Sequence, residues 1–355
     1  MRALMLVNWK VHYCEKTPVE WQPPDYFEFG KPYWFFRYFE KQIEVDVIDI
    51  HSLPIIERFE KNKLRFYVIQ TLRILPVLRK YDVIISHGMQ SAVLLSFWRR
   101  FFKTDAKHIV FDIGSFSSAS KSGVSLKLMQ FASRSIDGVI YHTSSQIEYY
   151  KSFFPWIVSK ARFIRFGADL EFFAPREPQR YCDKNAYIIC VGYTKRDWDT
   201  VVNAYSKIDT NVQLKLVGHV EEKYNGIKGI VQIPYVPITE LIDQILNSEF
   251  CILPLESFNY SFGQMTLMQQ MALGKCVVAA KVPSLIDYLC DGQNAILYEP
   301  KNELDCEKKI RSVLENEKLR RQIESGTREY LKVHCNEKIM AKEVEKFIYD
   351  ICGQS

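Results

Sequence analysis

Residues 260–274 read YSFGQMTLMQQMALG, and one lysine later comes the apolar run 276–280, CVVAA. A Ser-Phe-Gly turn leads into a helix, Gly274 ends the helix, and a buried strand follows. The first turn of a helix has backbone N–H groups with no internal partner, and the dipole adds about half a positive charge there. Glycine lets a ligand come against the backbone, so Ser261-Phe262-Gly263 reads as an anion cradle. An ordinary loop–helix–strand crossover would show the same pattern, so the surrounding chain has to decide between the two.

On the amino-terminal side, short apolar runs recur at 4–7, 45–50, 83–86, 108–111, 138–141 and 162–164. A second series lies at 187–191, 213–217, 229–233, 250–253, 276–280 and 295–297. Near-continuous apolar strands separated by helical stretches indicate parallel sheets covered on both faces. Two such series predict an α/β protein of two doubly wound, Rossmann-like domains. The boundary is expected at 175–185, a stretch with two prolines, much charge and no period. The expected domains are therefore 1–174 and 186–335, with a closing helix in 336–355. Residues 303–324 and 337–352 read as amphipathic helices.

In open parallel sheets, ligands bind beyond the carboxyl ends of the strands. Three such ends in the second series carry glycine or ligand-capable side chains. They are Gly192-Tyr-Thr-Lys-Arg-Asp-Trp198, Gly218-His219, and the loop 254–263 that contains Glu256.

Composition is that of an ordinary globular chain, 47% hydrophobic and 25% charged, with 20 Tyr and 23 Phe. No apolar run reaches the roughly 18 residues needed to span a bilayer. The amino terminus lacks a signal-peptide pattern, so the expectation is a cytoplasmic protein, at most peripheral to the inner face of the membrane. The nine cysteines include no C-x-x-C pair; Cys190, Cys251 and Cys276 sit inside apolar runs and read as small buried hydrophobes, neither disulfides nor metal ligands. Charge is uneven. Residues 1–175 carry 24 basic and 17 acidic side chains, whereas 176–355 carry 23 and 25. Residues 51–107 alone hold 11 basic and 4 acidic, ending in Phe97-Trp-Arg-Arg-Phe-Phe-Lys103. Aromatics interleaved with cations suit an anionic membrane surface. A helix with its aromatics in the core and its cations in water fits the same segment. The acidic second half argues against nucleic acid as a partner.

Taken in order, VGYTKRDWDTVVNAY (191–205), LKLVGH (214–219), IPYVPITELIDQI (233–245) and SFGQMTLMQQMALGKCVVAAKVPSLIDYLCDGQNAILYEP (261–300) resemble the donor domain of GT-B glycosyltransferases, in particular the retaining family 4. ARFIRFGADLEFFAP (161–175) is similar to that family's bridge between domains. The resemblance covers 135–300 well and 1–130 weakly. It implies two domains facing each other across a cleft. It also implies a transferase that moves a sugar from a nucleoside diphosphate, UDP- or GDP-linked, to a hydroxyl of a glycan or lipid-linked acceptor, with retention and without metal or other cofactor. Cell-surface polysaccharide or glycolipid synthesis would be the setting.

Residue by residue, the resemblance puts Arg196, with Lys195 beside it, on the donor diphosphate, and Gly192 and Gly218 at the strand ends lining it. The backbone N–H groups of Phe262, Gly263 and Gln264, with Ser261 and the hydroxyl of Thr266, would face sugar and phosphate. Tyr235 and Val236 fall where the family holds the base. In the first domain, His87 and Asp112 end their strands as candidate catalytic groups, Asp112 standing where the family often has a histidine. Two departures matter. The family's second diphosphate arginine is Tyr193 here. Its Glu-x7-Glu pair becomes Gln269 and either Tyr260 or Ser261, so no carboxylate remains unless Glu256 substitutes. The alternative reading is a GT-B-shaped protein that has lost catalysis and serves as a partner or glycan-binding subunit.

Overall fold

The computed structural model describes residues 1–114, 116, 122–177, 185–218 and 220–353. His219 and most of the expected linker lie outside them. The chain forms two compact units: Met1–Arg165 with Tyr260–Phe262 and Lys338–Ser355, and Phe166–Asn259 with Gly263–Glu337.

Strands of the first unit are β1 (Arg2–Leu6), β2 (His12–Cys14), β3 (Tyr26–Glu28), β4 (Glu44–Ile48), β5 (Val83–His87), β6 (Lys107–Asp112), β7 (Gly138–Tyr141) and β8 (Ala161–Phe163). Six of them build a sheet in the order β4-β1-β5-β6-β7-β8, parallel throughout. All five residues of β5 are buried, as expected of a strand with helices on both faces. The winding reverses between β1 and β5, so the carboxyl ends of those strands flank this unit's crevice. The small parallel pair β2-β3, in the long connection from β1 to β4, was not legible as apolar runs because each strand is three residues long and none of those residues is buried.

The second unit has β9 (Tyr187–Val191), β10 (Gln213–Val217), β11 (Ile230–Ile233), β12 (Cys251–Leu253), β13 (Val277–Ala280) and β14 (Ile296–Tyr298). Their order is β11-β10-β9-β12-β13-β14, again parallel. Here the reversal lies between β9 and β12. The loops that follow these two strands are 192–197 and 254–263, both singled out from sequence.

Two segmentations differ from expectation. The units divide at Arg165–Phe166, ahead of 175–185. Residues 166–168 are held in the second unit by local bonds: Tyr288 OH accepts from Phe166 N–H (2.9 Å), and Ala168 N–H donates to Cys335 O (2.8 Å). The amphipathic stretch from 303 is two helices, Glu303–Leu314 and Glu317–His334. Asn316 breaks it by accepting the Leu319 N–H with its side chain (2.9 Å), which caps a new helix. The last helix, Glu337–Cys352, lies largely in the first unit. There Glu345 accepts the N–H groups of Glu40 (3.0 Å) and Lys41 (2.7 Å), and Arg162 pairs with Asp350 (2.9 Å).

Candidate functional site

Beside the switch point of the second unit, at the ends of β9 and β10, two glycines adopt positive φ and leave no space for a side chain without displacing a neighbour. Gly192 has φ 150° and Gly218 φ 114°. A Cβ on Gly192 would press into the Arg196 guanidinium, and one on Gly218 would come 2.6 Å from the Gly192 carbonyl oxygen. Strand ends β9 and β10 thus meet backbone to backbone, leaving a shallow surface for a ligand.

Arg196 lies across that surface. Its Nε donates to Val191 O (3.1 Å), one terminal nitrogen to Thr194 O (3.2 Å), and the other to Thr266 Oγ1 (3.1 Å). Burial pulls its pKa down to about 10, because desolvation disfavours the charged form. The guanidinium keeps its charge at neutral pH, and an anion docking beside it would offset the desolvation. Thr266 is in the first turn of the helix Gln264–Ala272, so cation and helix N-terminus converge. Gly263 precedes that helix at φ 87°, with no room for a Cβ beside the Leu255 side chain. Gln264 ties the helix start to Ser284 O through its side chain (2.7 Å).

Loops 192–197 and 254–263 are stitched together. Arg196 and Leu255 form an antiparallel bridge, and Glu256 N–H donates to Lys195 O (3.3 Å). Lys195, at φ 55°, carries its ammonium 4.7 Å above the Phe258 ring. Tyr235 is 70% exposed beside Tyr193, with ring centroids 5.5 Å apart and planes tilted by 32°. Tyr193 also flanks Gly218. The second unit therefore brings Gly192, Lys195, Arg196, Gly218, Tyr235, Glu256, Gly263 and Thr266 into one neighbourhood. Val236 is half-buried next to Tyr235, and Gln269 is buried within its helix.

Ser261 and Phe262 belong to the first unit. Ser261 N–H donates to Gln146 Oε1 (3.3 Å). The Tyr260 ring packs on Gly114, where a Cβ would meet it at 2.5 Å.

At the switch point of the first unit, His87 Nδ1 lies 3.3 Å from Asn8 Oδ1. The imidazole is boxed by Trp9, Trp34 and Phe111, with centroids 4.7, 5.8 and 6.1 Å away. Burial lowers its pKa to about 3, so the ring is neutral. Asp112 departs from the expected acceptor-facing base. It is fully buried, and four donors point at its carboxylate: Gly114 N–H (3.0 Å), Phe116 N–H (3.3 Å), Gln146 Nε2 (2.6 Å) and Tyr150 OH (2.6 Å). Desolvation still raises its pKa against those bonds.

The chain was expected to lack an Asp-x-Asp motif, yet Asp197-Trp198-Asp199 has that spacing, which elsewhere can signal a metal. Here Asp197 caps its helix, taking Thr200 N–H (3.3 Å) and Oγ1 (2.7 Å), while Asp199 pairs with Lys223 (2.8 Å) and Tyr224 OH (2.7 Å). Sequence reasoning also missed Trp9, Trp34 and Gln146. Trp9 directly follows the first strand and carried a positional signal. Trp34 and Gln146 reach their places only through the fold.

Residues 176–330 match the family model described as glycosyl transferases group 1. An uncharacterized glycosyltransferase of Methanocaldococcus jannaschii is 27% identical over 140 residues, 38% of this chain and 39% of that protein. The match thus spans about two-fifths of that relative. Among solved structures, sucrose-phosphate synthase from Thermosynechococcus elongatus superposes with a TM-score of 0.74 at 15% identity, covering 100% of both chains. HepE of Anabaena, solved in complex with UDP, gives 0.68 at 13% identity over 99% of this chain and 100% of that one. The fold is GT-B, and the segment 176–330 is similar to the glycosyl transferases of group 1.

Proposed function

We propose that this protein transfers a sugar, with retention, from a UDP- or GDP-sugar to a hydroxyl of a glycan or lipid-linked acceptor, as a member of family 4. The observation that carries the reading is the desolvated Arg196 beside Thr266 and the start of the helix Gln264–Ala272, at the topological switch point. A diphosphate seated there would face a guanidinium, a hydroxyl and helix-terminal N–H groups, with Lys195 within reach. Tyr235 and Tyr193 would stack on the base, with Val236 beneath. HepE, with the same fold, binds UDP.

The acceptor oxygen forms its bond to the anomeric carbon on the face from which the diphosphate leaves. The carbon–oxygen bond to the diphosphate breaks, and the departing phosphate oxygen takes the acceptor proton. Catalysis then rests on positioning and on stabilising leaving-group charge. No metal or other cofactor enters this scheme. His87, neutral, would accept or donate a hydrogen bond rather than carry charge. Asp112 acts as a positioning residue through Gln146 and the backbone N–H groups of Gly114 and Phe116. Gln269 offers an amide to the donor in place of a carboxylate, and Glu256 is the acid left in the neighbouring loop.

The missing Glu-x7-Glu pair favours one second reading, a catalytically silent glycan-binding subunit. Donor hydrolysis measured across UDP- and GDP-sugars separates the two. Turnover of one donor supports the transferase, and absence of both turnover and nucleotide binding supports the silent subunit. An acceptor at an anionic membrane surface completes the proposal.

A further inference from the structure

In the first unit, the end of the helix Met89–Trp98 and the next turn pack beside the helix Val124–Ser133. Three phenylalanines meet on the outside of this pair. Phe97, Phe101 and Phe131 have centroids 5.4–5.9 Å apart and are 38%, 64% and 36% exposed. Leu128 and Val124 extend the same face of the second helix, at three and seven residues before Phe131, and are 50% and 74% exposed. Exposed apolar side chains scattered singly carry no message, but a contiguous cluster does.

The charges around it are of one sign. Residues 89–103 and 124–134 contain five basic and no acidic side chains. Arg99 is committed inward, to Asp137 and the Ala106 carbonyl. Arg100, Lys103, Lys127 and Arg134 are exposed; the Arg100 guanidinium lies 5.0 Å over the Phe131 ring, and that of Arg134 lies 4.0 Å over Trp156. Aromatic and aliphatic groups ringed by cations suit the headgroup layer, where rings enter the interface and cations meet lipid phosphate. A second copy of this face would set like charges against one another.

We propose that the Phe97–Phe101–Phe131 face docks on an anionic lipid surface, with Arg100, Lys103, Lys127 and Arg134 meeting the phosphate headgroups. No helix among the described residues is long and apolar enough to cross a membrane, so the attachment is in the plane of the interface. The proposal narrows the membrane part of the proposed function to one face, half of it contributed by a helix outside the basic block 51–107. It makes no use of the donor site.

The test is co-sedimentation of the full chain with vesicles of phosphatidylcholine alone or mixed with phosphatidylglycerol, at low and high salt. Binding should be confined to the mixed vesicles and weaken as salt rises. Arg100→Gln with Lys127→Gln should weaken it about 25-fold, about fivefold per cation. Phe97→Ser with Phe101→Ser should also release the protein, although inorganic phosphate cannot compete it off. Equal binding to both vesicle types, full retention in both variants, or displacement by inorganic phosphate overturns the proposal. So does a concentration-dependent dimer that Phe101→Ser dissolves. These side chains are exposed, so the variants should keep the wild-type donor affinity. Absence of vesicle binding by the unmutated chain, with donor turnover intact, would sink this inference alone; vesicle binding without donor turnover would sink only the transferase reading.

Discussion

The two units wind their parallel sheets around a switch point of the same kind and furnish it with opposite chemistry. In the second unit, the end of β9 meets that of β10 through two glycines, and a desolvated arginine lies over them. In the first, the end of β1 meets that of β5 through Asn8, Trp9 and a neutral His87, walled by aromatic rings. Backbone amides and a guanidinium suit a compact, multiply charged group. Rings and neutral amides suit an uncharged, hydroxyl-bearing one. One topology can therefore carry crevices of opposite polarity, because the strand order supplies only the crevice and the loops supply its polarity.

The sharpest break of this contrast is Arg196→Ala. Donor turnover should fall by two orders of magnitude or more, about 3–4 kcal/mol of lost charge stabilisation. Unchanged steady-state kinetics would remove Arg196 from the diphosphate site.

Acid should find the first unit before the second. His87 and His142 are buried neutral, with pKa values lowered to about 3 and about 4, and burial also lowers His108 well below its ordinary range. A histidine whose folded pKa is depressed stabilises the fold fully above its unfolded value near 6.5 and loses that contribution as pH falls toward the folded one. At pH 5 each ring should cost about 2 kcal/mol. The raised Asp112 works in the opposite direction only once pH reaches the carboxylate range. Hydrogen exchange followed from pH 7 to pH 5 should show protection lost first around β5, β6 and β7. Uniform loss across both units would contradict the assignment.

A smaller effect is expected at the rim of the donor crevice. Tyr193→Ala or Tyr235→Ala removes a stacking surface worth about 1.5 kcal/mol, near tenfold in nucleotide affinity. Calorimetry with UDP and with the pyrophosphate moiety alone would sharpen the point, since only the former should weaken. Smallest is Gln270→Met. Gln270 is fully buried, and neither side-chain polar atom has a hydrogen-bond partner. Replacing that amide with an apolar side chain of similar size should be neutral or stabilise by up to about 1 kcal/mol, read from the thermal midpoint. A marked loss would mean that the amide has work the fold alone does not reveal.

Much of this molecule is legible from residue order. Each of the twelve apolar runs coincides with a strand to within a few residues, because a strand buried on both faces must be apolar along its whole length. The glycine at each of two strand ends and the arginine four residues after Gly192 were likewise readable, since backbone geometry at such turns admits few residue types. Side chains whose partners lie far along the chain were not. Asp112 reads either as a strand-end acid facing the acceptor or as a cap for the loop that follows; it takes loop N–H groups, and Gln146 and Tyr150, more than 30 residues away, close over it. Ser261 reads as part of a cradle, yet its N–H goes to Gln146.

What residue order determined by itself is therefore periodic and local: parallel strands, helix caps, and the glycine–cation pattern after β9. Tertiary structure alone decided which polar groups face a ligand and which are consumed in the interior. It decided too that Phe131 joins Phe97 and Phe101 on one cationic face. Hydrophobic periodicity is set by each element's own geometry. The fate of a donor, an acceptor or an exposed ring depends on what another element brings within about 3–6 Å of it.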